Sequence, residues 1–262
     1  MGHQRPGGIP KTQKWDAVVA RLLDGSGLAR EDIGEIAALT LDAAGPALEK
    51  AVDDLGLRHT FFLLTQIALA SRQDDWQIRL AEAGINITND ASIFDLTAGL
   101  QLAIDDYVSE HGRATDISEM AQRAAGEALA SLAADNSVTL FGSGGAELQS
   151  AIRGLSTSKG FSDLGQMFFG RFTMRFLNFY LSRITARELG TERVPNVAEV
   201  SRFNDTLRTH CEQSARITRD FCGQWYSKTE YMEGIDRHNA ARFMAIALRK
   251  LSRELAKQRA EL

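Results

Sequence analysis

The stretch FFGRFTMRFLNFYLSR, Phe168 to Arg183, holds five of the chain's 13 phenylalanines together with three arginines. At 100° per residue, Phe168, Phe179, Phe172, Phe176, Phe169 and Tyr180 fall within about 120° of one another. Leu177, Gly170, Leu181 and Met174 cover the next sector, so the helix is apolar almost all round. Asn178, Arg171, Ser182 and Arg175 share the remaining arc and form one narrow polar seam. Such a helix belongs inside a fold with other helices covering it. The expected architecture is therefore all-α: a multi-helix globular bundle around a central aromatic-rich helix of about residues 160–188.

The seam needs a partner, because an unpaired buried arginine costs several kcal/mol. Carboxylates of the acidic half, with Asp105 and Asp106 as examples, would satisfy it. A phosphate-like anion held by Arg171, Arg175 and Asn178 would do so as well, since a guanidinium fork fits such a group. The third reading is plain solvent exposure over apolar stems. Membrane insertion is disfavoured, because each arginine at a bilayer centre costs about 2.5–3.5 kcal/mol.

The rest of the chain reads as helix after helix, with only four prolines in 262 residues. One helix is expected to end at Gly25 and the next at Gly45. Pro46 would open a further helix that stops at Gly56. HTFFLLTQIALASR, starting at His59, is apolar on every side and should be buried. Asp116 and Glu119 form an expected capping box, and Asn196 and Glu199 repeat the pattern. The latter opens one continuous helix through Cys211 and Cys222 to Trp225. On it Glu212 and Arg216 make a favourable i,i+4 pair. Eleven residues of helix would hold the two thiols about 16 Å apart, too far for a disulfide, so both are expected reduced.

Residues 1–10 read as a flexible tail without the apolar core of a secretory signal. Residues 11–135 form an acidic helical half, 136–160 a Gly/Ser-rich connector region, and 161–262 a basic helical half. The halves can pack as one domain. VTLF, 138–141, is the one candidate strand. The charge is unevenly placed: residues 1–135 sum to −10 and residues 136–262 to +6, within a total of −4. Either a nucleic acid or another anionic partner, or attraction between the halves, would explain it.

Motifs for chemistry are sparse. FGSGGAEL, 141–148, lacks the Gly-Lys-Ser/Thr end of a phosphate loop and reads as a connector. His210 interrupts an apolar seam and reads as a buried, hydrogen-bonded histidine, with a catalytic base as the alternative. No zinc, di-iron or nucleophile-elbow spacing occurs, so no catalytic residue, metal or cofactor is assigned. The last helix carries the densest cations, and Arg242, Arg249, Arg253 and Lys257 are the candidates for a partner or nucleic-acid surface.

These features favour a non-catalytic helical interaction subunit of a cytoplasmic assembly, with a protein partner or a second copy and no membrane. The Ala, Arg, Leu and Gly content points to a bacterial source. A nucleic-acid-binding protein using the Arg-rich C-terminal half is the second reading. An enzyme or sensor for a phosphorylated small molecule at Arg171 and Arg175 is the third.

Overall fold

The computed structural model describes residues 12–23, 32–135, 145–190 and 196–257. Among these residues there are eleven α-helices and no strand. The tail at 1–10 and the candidate strand at 138–141 lie outside them. The helices are α1 Gln13–Leu22, α2 Ile33–Ala51, α3 Leu55–Ala70, α4 Trp76–Glu82, α5 Ile93–His111, α6 Asp116–Asp135, α7 Gly145–Arg153, α8 Ser158–Glu188, α9 Val197–Ser214, α10 Arg216–Met232 and α11 Arg237–Lys257.

The 31-residue α8 is the axle of the bundle. Thr157 caps it by accepting from the Gly160 amide at 2.9 Å. Phe168, Phe169, Phe172, Phe176, Leu177 and Leu181 are buried. Helices α6, α9 and α10 pack along it, so both halves of the chain share this helix as their core. Each buried phenylalanine contributes roughly 2–3 kcal/mol of transfer free energy. Phe61 of α3 ties the layers together: its ring meets those of Phe161, Phe168, Phe169, Trp225 and Phe243 within 6.2 Å. Those rings come from α8, α10 and α11, and one continuous core results.

Four boundaries differ from the sequence expectation, each for a local reason. Helix α2 runs through Gly45 and Pro46 to Ala51 instead of restarting at the proline. Gly45 has no Cβ to meet the proline ring, which eases the usual restriction on the preceding residue. Pro46 cannot donate to the Asp42 carbonyl, and Lys14 Nζ lies 3.5 Å from that oxygen instead.

Gly56 sits in the first turn of α3 and does not end a helix. Asp54 caps α3 by accepting from the Leu57 amide at 2.8 Å. A side chain at Gly56 would overlap Ser118, so the glycine permits the close crossing of α3 and α6.

The cap of α6 is Thr115 with Ser118, not Asp116 with Glu119. The Ser118 amide donates to Thr115 Oγ1 at 3.0 Å, and the Thr115 amide donates to Ser118 Oγ at 2.8 Å. Asn196 does cap α9, accepting from the Glu199 amide at 3.1 Å.

The long helix expected through Cys211 and Cys222 is two helices, broken at Ala215. Ser214 Oγ donates to the His210 carbonyl at 2.9 Å, and Thr218 Oγ1 to that of Ala215 at 2.6 Å. Hydroxyls bonding back to the ladder in this way bend helices. The two cysteines are buried free thiols on different helices. The break also separates Glu212 from Arg216.

Candidate functional site

Two groups of cations were singled out by sequence, and their surroundings differ. The first is the seam on α8. Arg175 donates to Glu127 of α6. Arg171 Nη2 donates to Ser131 Oγ at 2.7 Å. Its Nη1 lies 3.8 Å from Glu127 and its Nε 3.5 Å from Glu212 of α9. The side chains are 15% exposed at Arg171 and 22% at Arg175, so little solvent reaches the seam. Two guanidiniums thus face two carboxylates, and the local charge balances. Asn178 is half-buried on the same arc. The carboxylates come from α6 and α9, whereas Asp105 and Asp106 lie on α5, which packs on α3 and α6. Glu212 serves Arg171 rather than Arg216.

The second group is on α11. Arg242, Arg249, Arg253 and Lys257 recur at i, i+7, i+11 and i+15 and share about 80° of the helix. The opposite face buries Phe243, Met244, Ala247, Leu248, Leu251 and Leu255 against the bundle. All four cations are exposed. Among the described residues none of the four has an ion pair or a cation–π contact. Ile246 lies on the same stripe and is 42% exposed.

Arg249 and Arg253 also form one wall of a groove between α2 and α11, a cavity of about 490 Å³. Leu41, Gly45, Leu48, Val52 and Leu248 supply most of its apolar lining. Asp42 and Glu49 of α2 stand on the other wall. Asp42 is paired with Lys14 at 2.8 Å. Sequence alone could not find this groove, since its two helices are about 200 residues apart and neither has an unusual pattern.

His210 lines a smaller cleft with Asp205, Thr206, Thr209 and Gln213. It is half-buried, and burial lowers its pKa. Its Nε2 has no hydrogen-bond partner among the described residues, unlike the satisfied ring expected. The glycine-rich segment lies largely outside the described residues. From Gly145 it continues as α7, whose first amide donates to the Asn89 carbonyl at 3.0 Å. Among the described residues no helix is long and apolar enough to cross a membrane.

No protein-family model matches the chain, and no curated protein or solved structure matches it.

Proposed function

We propose that the chain is a non-catalytic helical interaction subunit of a cytoplasmic bacterial assembly, using the α2–α11 groove and its basic rim. The observation that carries this reading is the α11 stripe. Four exposed cations share one stripe without an ion pair among the described residues, and two of them, Arg249 and Arg253, line an apolar groove whose far wall is acidic. An amphipathic helix with carboxylates along one flank complements that surface in shape and charge. Two buried thiols on separate helices suit a reducing compartment.

Nucleic acid is the second reading, favoured by the same cations. Asp42 and Glu49 on the facing wall would repel phosphates. A phosphorylated ligand at Arg171 and Arg175 would have to displace Glu127 and Glu212 from the guanidiniums they already hold.

A photo-crosslinking residue at Ser252, inside the groove, tests the proposal. The expected result is a discrete protein adduct that maps to the groove. Leu48→Glu and Arg249→Glu/Arg253→Glu should each abolish it while the fold persists. No adduct, together with oligonucleotide binding that falls with salt at a log–log slope of about −3 to −4, would replace it with the nucleic-acid reading.

A further inference from the structure

The acidic half carries a surface that answers the α11 stripe. Helix α5 packs chiefly on α3 and α6, which leaves its outer face in solvent. On that face Leu102 is 63% exposed. Ala98 precedes it by one turn, and Asp105 and Asp106 follow it, all exposed. Asp105 Oδ1 accepts from Gln122 Nε2 at 2.8 Å. Among the described residues no lysine or arginine pairs with Asp105, Asp106 or Glu110; Glu110 has only His111, at 3.8 Å.

Asp105 also opens into a cleft of about 870 Å³ between α5 and the start of α6. Asp116 and Glu119 line that cleft with Asp105, and among the described residues Arg113 is the one cation on its wall. Glu119 is engaged by Arg123. The cleft therefore offers carboxylates and room for long basic side chains.

Each of the two surfaces lacks what the other has. The α5 face presents an exposed leucine beside carboxylates that no lysine or arginine pairs among the described residues; the α11 stripe presents an exposed isoleucine among cations that have no ion pair among those residues. No ion pair joins the two surfaces within one chain among the described residues. A second copy carries the complement of both.

We infer that the chain self-associates head to tail, the α5 face and its acidic cleft in one copy receiving the basic α11 rim of the next. This inference rests on the reading of the α11 rim as a docking surface and names its partner. Because the two surfaces differ, the contact is heterologous and leaves one of each free at the ends. Copies then form a ring if the rotation closes and an open chain if it does not. Opposite charges outside a hydrophobic core steer and register such a contact more than they strengthen it. Leu102 and Ile246 supply the apolar part.

The test uses the full chain in sedimentation velocity. At low ionic strength the wild type should sediment at a mass at least twice its 28.8 kDa. It should return toward one copy in about 1 M salt, where the Debye length is about 3 Å. Arg249→Glu/Arg253→Glu and Asp105→Arg/Asp106→Arg should each be monomeric. Mixed one to one, these two variants should associate again, through the native contact on one side and through its charge-reversed counterpart on the other. A chain carrying all four reversals should associate again. Leu102→Asp should weaken association at least tenfold without changing the helical circular dichroism.

A mixture that stays monomeric, or a wild type that is monomeric at low salt, overturns the inference. If the Ser252 probe then captures a different protein through the same rim, the docking reading stands and only the second copy fails. If it captures nothing, both fall.

Discussion

Arg175 of α8 and Glu127 of α6 meet as a hydrogen-bonded ion pair across the helix interface, and Arg171 shares the same carboxylate from 3.8 Å. This relationship explains how the most aromatic helix of the chain carries fixed charge at the edge of the core. The phenylalanines need the interior, and the guanidiniums sit where α6 and α9 bring glutamates to the edge of that interior.

Glu127→Gln keeps the size of the side chain and removes the charge both arginines use. With Glu127 45% exposed, the loss should be about 1–2 kcal/mol. That lies between the small value of a surface pair and the 3–5 kcal/mol of a buried one. Urea unfolding of Glu127→Gln, Arg175→Met and the double variant measures the coupling. A coupling near zero would mean that Glu127 does not support the seam, and solvent or an anion would have to be its partner.

Gly223→Ala should destabilise although alanine is the better helix former. A Cβ at this position of α10 would overlap the Ser158 carbonyl oxygen and Ser162 Oγ of α8. The propensity gain is about 1 kcal/mol, and forcing apart two packed helices costs about 1–3 kcal/mol. The net is a loss of stability, read as a lower urea midpoint. A variant as stable as the wild type would show that α8 and α10 can separate freely.

The fold was legible in the sequence where the signal is periodic. The Phe168–Tyr180 pattern names the interior helix because burial needs only a repeat and a lack of polar interruption. The seam's partners were not legible: Glu127 and Glu212 stand 44 and 41 residues to either side of Arg171, and only the packing of α6 and α9 on α8 selects them over Asp105 and Asp106. The break at Ala215 was hidden as well, since no glycine or proline marks it. Ser214 and Thr218 make it through backbone bonds that look like ordinary helix content in sequence. Pro46 erred the other way, because a preceding glycine lets a helix tolerate it. Of the site, the α11 cations were visible as a stripe, and the groove they border was not.

His59 should make stability depend on pH. Its ring stacks on Tyr107 at 3.8 Å in the interior between α3 and α5. Burial, and then the positive charges of Arg237 and His111, lowers its pKa from 6.5 to about 4. The unfolded chain therefore takes up the proton first. Above about pH 6.5 the ring is neutral in both states and contributes no pH dependence. As pH falls from 6.5 toward 4, stability drops with a slope approaching about 1.4 kcal/mol per unit. His59→Phe should remove that part of the slope. Carboxylates titrate at the lower end of this window, so the observable is the difference between wild type and variant in urea midpoints at pH 7 and pH 5. Equal drops in both proteins would mean that His59 is protonated as readily folded as unfolded.

Arg253→Glu separates a docking role from a structural one. In the single chain Arg253 is exposed and lies one turn from Arg249, a like-charge i,i+4 pair that costs about 0.2–0.5 kcal/mol. Reversal replaces that repulsion with an attractive pair, and no ion pair is lost among the described residues. Stability should hold within about 0.5 kcal/mol or rise slightly. Association, read by sedimentation at low ionic strength, should weaken sharply in the same variant. A residue kept for the fold would behave in the opposite way, with a lower unfolding midpoint and unchanged association. A drop of more than about 1 kcal/mol would therefore place Arg253 among the groups that hold α11 to the bundle.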